Sequence, residues 1–243
     1  MTTMAFVQLD EHGERNFAFA RKPGADALLT IQDVERSGIF EAKILHAGSC
    51  SLSESPAYEA TVYAMKKAHD LGKWVSFDIN YRDPMWRGNL SLAKKRLFEV
   101  LPFVHLLKCS SEERNLFWGN ASTDEMMRDI PAIVIVETLG ERGSRAFFKG
   151  KEIFAESLCS KVIDTTGAGD AFWGAFLSCI FREKWGKGHS LNHQSVQKAL
   201  RLGNIAGHLC VQTKGAQKSL PSWAEIERLY IPHFSSRTEE TLS

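Results

Sequence analysis

Residues 132–137 read Ala-Ile-Val-Ile-Val-Glu, and no other stretch of the 243-residue chain limits its fold as tightly. A strand that faces water on one side alternates apolar and polar residues, and this run does not alternate. Its near-continuous β-branched character suits a strand covered on both faces, which requires helices on either side of a mostly parallel sheet. The flanking segments agree. Residues 43–47, 74–78 and 104–108 are short apolar strand candidates, and helical patterns cover 55–71 and 90–100. In the first of these helices Ser55-Pro56 offers an N-cap and a proline at the first helical position. Ala57, Ala60, Ala64, Ala68 and Leu71 follow at helical spacing, and Gly72 ends the helix in the left-handed conformation.

Further along, the pattern predicts a short helix over 111–118, strands over 144–148 and 152–155, and helices starting near Ala168, His193 and Ser222. Residues 4–9 and 16–20 read as a β-ribbon joined by the turn Asp10-Glu-His-Gly13. The expected organisation is a partial ribbon lid over 1–27, an α/β core over 28–233, and a polar tail over 234–243 that frays. The expected fold class is three-layer α/β/α, a mostly parallel sheet sandwiched between helices with a small β-ribbon lid.

Composition removes several function classes. An apolar content of 44% supports a substantial core. Lys and Arg number 30 against 29 Asp and Glu, so the basic face that nucleic acid or an anionic membrane selects is not indicated. No apolar run reaches the roughly 18 residues of a membrane span, and the first residues lack a signal-peptide layout. The expectation is a soluble protein of a reducing compartment, the cytoplasm. Five scattered cysteines without a C-x-x-C pair read as free thiols rather than a disulfide framework. His189 and His193 have a spacing that could share a metal on a helix. The intervening residues look like a helix start, so a solvated pair is the plainer reading.

The chemistry concentrates in DTTGAGDAFWGAFL, residues 164–177. The first amides of a helix have no intrahelical partner, and the helix dipole adds partial positive charge there. Gly167 and Gly169 remove side chains that would keep an anion away, so several N–H groups can converge on one phosphate. Asp170 lies in the first turn, where its ionised carboxylate could accept a proton from a hydroxyl. Behind it, Ala171, Gly174 and Ala175 are expected to let the helix pack tightly against a sheet. A cradle with a carboxylate suits phosphoryl transfer to an alcohol; the plain alternative is an ordinary capped helix after a glycine turn. Neither a Walker A loop nor a G-x-G-x-x-G fingerprint occurs.

This string resembles the C-terminal signature of the PfkB/ribokinase family of carbohydrate kinases, and other segments agree in family order. Phe77-Asp-Ile-Asn-Tyr-Arg82, with Pro84 and Trp86, looks like a segment of the fructokinase branch. Lys108-Cys-Ser-Ser-Glu-Glu113 stands in the place of N-x-x-E, and Thr138-Leu-Gly-Glu-Arg-Gly143 is similar to the nucleotide loop T-x-G-x-x-G. Residues 199–219, with Asn204 and Lys214-Gly-Ala-Gln-Lys-Ser219, resemble the adenine and cation region.

The resemblance implies a ribokinase-like fold and an ATP-dependent sugar kinase using Mg²⁺ and K⁺. It implies Asp170 as general base and the amides of Gly167, Ala168, Gly169 and Asp170 as an anion hole. Ser110, Thr138, Gly140, Gly143 and Asn204 would serve the nucleotide, and Glu113 would organise Mg²⁺ and water. Asp164, Thr166, Gly215 and Ser219 would surround a monovalent cation. Arg21, Asn80 and Arg82 would read the sugar, with surface charge as the plain alternative for the arginines. Sugar-acid kinases of the family often carry tyrosine where Phe19 stands, which favours a neutral hexose such as fructose. A 2-keto-3-deoxygluconate-type kinase and a non-catalytic nucleotide- or partner-binding protein are the alternatives. A homodimer through the ribbon is implied by resemblance alone. Two departures stand out: Ser110 replaces the usual asparagine, and the family's first strands, Gly-Gly motif and early aspartate have no counterpart ahead of the ribbon. On that reading the sheet would expose an edge and the sugar pocket would lack half its residues.

Overall fold

The structure, a computed structural model, describes residues 2–9, 15–21, 24–119, 121, 125–126, 130, 132–159, 161–182 and 191–231. The expected turn at 10–13, His189 and the tail at 234–243 lie outside the described residues. Contacts divide the chain into two compact units, Met1–Val134 and Ile135–Ser243. The fold is α/β, and strand order in the main sheet follows the sequence.

Unit 1 opens on a ribbon of β1 (Met4–Leu9) and β2 (Arg15–Ala20), antiparallel from Met4↔Ala20 to Leu9↔Arg15. Its body alternates β3 (Ile44–Gly48), α2 (Ala57–Asp70), β4 (Trp74–Asp78), α4 (Leu90–Val100), β5 (Leu106–Ser110) and α5 (Ser111–Trp118). Two short helices join them, α1 (Ile31–Arg36) and α3 (Asp83–Trp86). β3, β4 and β5 pair in parallel, with Ile44 opposite Trp74 and Ser76 opposite Leu106. Consecutive residues Val75, Ser76 and Phe77 are fully buried, as are Leu106 and Leu107. Burial of successive residues means that both faces of these strands are covered.

α2 turns Ala57, Ala60, Ala64, Met65 and Ala68 inward, and its small residues allow close approach to β3 and β4. Gly72, at φ +67°, ends that helix as its sequence implies. The helix start differs from expectation. Pro56 is the residue before the helix rather than its first member, and its peptide bond with Ser55 is cis. Ser55 Oγ donates to Glu59 Oε1 at 2.7 Å, and the helix start has no side-chain cap.

Unit 2 contains β6 (Val134–Thr138) apart from its first residue, the antiparallel hairpin β7 (Ser144–Phe148) and β8 (Lys151–Ala155), then α6 (Ala168–Arg182), α7 (His193–Cys210) and α8 (Trp223–Tyr230). Lys149 and Gly150 both have positive φ, which gives the hairpin the tight turn that matches strand twist. Of residues 132–137, expected as one fully buried strand, those from Val134 on lie in β6; Val134, Ile135 and Val136 are completely buried, while Ile133 ahead of the strand is exposed. α6 packs closely on α7, and Gly174 does not serve the tight packing against a sheet that was expected of it. Gly174 is exposed with open space beside it, and the close approach is at Gly203 of α7, where a Cβ would lie 2.8 Å from the Phe172 ring. Ala171 and Ala175 are buried as expected. Among the described residues no helix is long and apolar enough to cross a membrane.

Candidate active site

In unit 1 the C-terminal ends of three parallel strands supply the candidate residues, the usual position for ligands in open α/β sheets. β4 ends at Asp78, and β5 carries Lys108 beside it. Lys108 Nζ lies 2.7 Å from Asp78 Oδ2, with the two side chains only 7% and 5% exposed. Asp78 Oδ1 has no hydrogen-bond partner among the described residues. A buried pair of this kind depends on both members, since removing one strands the other charge in a poorly solvating interior.

Ser110 is the N-cap of α5 and Glu113 completes a reciprocal capping box. Glu113 Oε2 accepts from the Ser110 amide at 2.8 Å, and its other oxygen accepts from the Tyr81 amide at 2.7 Å. Both oxygens thus tie the start of α5 to the loop after β4. Burial pushes the Glu113 carboxyl up, against the pull of the Ser110 amide, and the charge of Asp78 adds to the rise.

The three residues expected to read a sugar gather around the turn at Ser49–Leu52. Asn80, at φ +40°, turns its carbonyl to Ser49 Oγ at 3.5 Å and Cys50 Sγ at 3.8 Å. Burial raises the Cys50 thiol, against the opposing charges of Arg82 and then Arg21. Arg82 Nη1 donates to the Tyr81 carbonyl at 2.8 Å. Arg21 is not a surface charge: its side chain is 5% exposed, Nη1 donates to Ser53 Oγ at 2.7 Å, and Nη2 lies 2.8 Å from Asp26 Oδ2. Asp26 Oδ2 faces Nη2 as an ion-pair partner, and the buried Nε and Nη2 have no further acceptor among the described residues. The sequence reading missed Ser53, Asp26 and the Asp78–Lys108 pair. A lysine inside an apolar strand run was the available signal for the last, because a buried ammonium demands a partner. Ser53 and Arg21 are 32 residues apart and gave no local sign.

In unit 2 the candidate phosphate and nucleotide residues sit on loops. The segment after β6 closes with Leu139 N donating to Gly143 O at 2.8 Å and Gly143 N donating to Gly140 O at 3.1 Å. Gly140 and Gly143 have φ of +62° and +108°. At Gly143 a Cβ would also lie 2.1 Å from Ala155 O, so only glycine fits. Asn204 stands in the same place: its Nδ2 donates to Ala155 O at 2.9 Å and Glu156 O at 3.0 Å. Thr138 ends β6 at the start of this loop.

Asp164, Thr166, Gly215 and Ser219 come together as one knot. Asp164 Oδ1 accepts from Thr166 N at 2.9 Å and Oδ2 from Gly215 N at 3.0 Å. Ser219 is buried, its amide donates to Gly215 O at 3.2 Å, and its hydroxyl donates to Ala216 O at 3.2 Å. Gly167, at φ +86°, runs so close to this loop that a Cβ would meet Ala216 O at 3.1 Å.

That close passage sets the start of α6. The Ala168 amide donates back to Thr165 O at 3.2 Å, so it is not one of the open donors expected there. Among the described residues no protein acceptor takes the amides of Gly167, Gly169 or Asp170. Asp170 is the third residue of the helix and its side chain is exposed. His193, the first residue of α7, packs edge-on against Phe148. Among the described residues no group of three His, Cys, Asp or Glu side chains could hold a metal.

Three kinds of comparison bear on this geometry. The family model described as pfkB family carbohydrate kinase matches residues 1–223. The chain is similar to a probable fructokinase-5 of Arabidopsis thaliana, 36% identical over 94% of this chain and 70% of the relative. It is 32% identical to a fructokinase of Vibrio alginolyticus, covering 93% and 73%. Among solved structures it resembles a fructokinase from Vibrio cholerae O395 bound to fructose, ADP and calcium ion, with TM-score 0.81 and 30% identity over 93% of this chain and 72% of that one. A fructokinase from Xylella fastidiosa with bound ATP gives TM-score 0.84 and 28% identity, covering 95% and 74%.

Proposed function

The chain belongs to the pfkB family of carbohydrate kinases, and from that premise we propose that it transfers the γ-phosphoryl group of ATP to a hydroxyl of a neutral hexose, fructose first among them. The fructokinase relatives support the sugar. The observation that carries the chemistry is the start of α6, where unclaimed amides stand beside an exposed carboxylate in the same helical turn. Asp170 accepts the proton of the acceptor hydroxyl, and the freed oxygen attacks the γ-phosphorus. The bond from that phosphorus to the β,γ-bridging oxygen breaks, and ADP leaves. The amides of Gly167, Gly169 and Asp170 donate to the oxygens of the transferring group, where negative charge is carried through the transition state.

The loop at Thr138, Gly140 and Gly143 lines the nucleotide, and Asn204 fixes the segment after β8 against it. The oxygens around Asp164, Thr166, Gly215 and Ser219 are of the hard type that a monovalent cation such as K⁺ takes, and the residues present fit it. Their part is to hold Gly167 in its left-handed turn, which aims the amides. Mg²⁺ is held chiefly by nucleotide phosphates in sites of this class and neutralises their charge. Glu113, with both oxygens on backbone amides, serves it by fixing the strand-end loops of unit 1. Free thiols suit a cytoplasmic setting.

A coupled ADP-release assay over a panel of sugars and sugar acids tests the reading. The expected result is fructose-dependent turnover above the no-sugar background. ADP release that no sugar stimulates would overturn it.

A further inference from the structure

Arg21 is held by more than a sugar-binding role requires. Asp26, the carboxylate facing it, is itself fixed, since its Oδ1 accepts from the hydroxyl of Thr3 near the start of the ribbon. Gly24 lies wedged against all three residues. A Cβ there would fall 1.8 Å from Thr3 Oγ1, 2.3 Å from Asp26 Oδ1 and 3.0 Å from Arg21 Cγ, so the cluster leaves no room for a side chain. Burial acts to raise the Asp26 carboxyl, but the Thr3 hydroxyl and the Arg21 charge hold it below its ordinary value. The carboxylate is therefore a fixed negative charge 2.8 Å from Arg21 Nη2.

The pair has no net charge, yet Nε and Nη2 of Arg21 keep N–H groups without an acceptor among the described residues. Such a group recognises hydroxyl oxygens, which accept hydrogen bonds without adding charge. A sugar acid's carboxylate brought to the same nitrogens would meet Asp26 at close range, and like charges so placed cost binding energy. We propose that Asp26 is a specificity-determining residue: by neutralising Arg21 it admits uncharged sugars and excludes sugar acids. This rests on the proposed sugar kinase activity and on the sugar-reading role that the family resemblance implies for Arg21. Asp26 acts through Arg21 and does not touch the substrate.

Titration calorimetry of the full chain with fructose and with 2-keto-3-deoxygluconate tests this without turnover. The wild type should prefer fructose. Asp26→Asn should raise the acid-to-fructose affinity ratio about tenfold, the scale of one charge-assisted hydrogen bond gained. Asp26→Glu, which keeps the charge, should retain the wild-type ratio, and Asp26→Gln provides a second neutral replacement should Asp26→Asn fail to fold. An unchanged ratio in the neutral variants, or an equal loss of both ligands, would overturn the proposal. So would a wild type that prefers the acid or binds neither. A moving ratio without fructose-dependent ADP release would sink the kinase reading alone. Turnover with an unmoved ratio would sink only the role of Asp26.

Discussion

Unit 1 builds its candidate residues from side chains that reach across the chain, and unit 2 builds its own from backbone held in unusual conformations. In unit 1 the working contacts are Asp78 with Lys108, Glu113 with the Tyr81 amide, and Arg21 with Ser53 and Asp26. In unit 2 they are left-handed glycines at 140, 143, 167 and 215, and helix amides with no protein acceptor among the described residues. The difference matches the ligands that the family resemblance implies for each. Phosphate is recognised by converging N–H groups that every residue owns, provided no side chain intervenes. A sugar needs donors and acceptors at particular places, and only side chains vary enough to supply them.

If unit 1 depends on buried charge, Lys108→Met should show the largest effect. It leaves the Asp78 carboxylate buried and uncompensated, at a cost of about 3–5 kcal/mol in urea denaturation. A loss under about 1 kcal/mol would put the pair on a level with solvent-screened surface bridges and erase the contrast.

The backbone claim for unit 2 is sharpened by two alanine substitutions. Gly143→Ala adds strain at positive φ and a collision with Ala155 O, for about 2–3 kcal/mol. Gly140→Ala has open space around it and carries only the strain, about 1 kcal/mol. Equal losses would mean that the approach of Ala155 is not what demands glycine at 143.

The smallest effect is expected far from these groups. His105 stacks on His69 at 5.3 Å, and its Nδ1 accepts from the Val75 amide at 3.1 Å. Burial, and then the charge of His69, lower its pKa. A histidine whose folded value is depressed contributes stability fully above its unfolded value, about 6.5. That contribution is lost as pH falls through the lower folded value. The melting temperature should therefore drop modestly between pH 7 and pH 5, and His105→Gln should flatten the slope. An identical slope in the variant would assign the dependence to other groups.

This contrast also explains what the sequence revealed. Backbone requirements are local, so residues 138–143 and 164–170 announced themselves as short strings of glycine with Thr or Asp. The strands were equally legible: residues 74–78 and 144–148 match β4 and β7 end to end. Long-range pairs were not. Arg21 and Ser53 are 32 residues apart, and Asp78 and Lys108 are 30 apart. Nothing in either neighbourhood names its partner. Close packing was also misread, because a small residue in a helix does not say which neighbour approaches it. Only the structure shows Gly203, not Gly174, at the crossing. The short helices α1 and α3 were too brief to show helical periodicity. At α6, the sequence implied a cradle of four amides, while the turn at Thr165 claims that of Ala168.

The central claim is that the exposed carboxylate at the start of α6 takes the proton while neighbouring amides hold the phosphate. Fructose-dependent ADP release by the wild type and Asp170→Asn, with ATP binding followed in the same samples, tests it most directly. The account predicts that the variant loses at least about 100-fold in turnover, the scale of general-base catalysis, while it still binds ATP and melts as the wild type does. A variant that turns over fructose at the wild-type rate would contradict it.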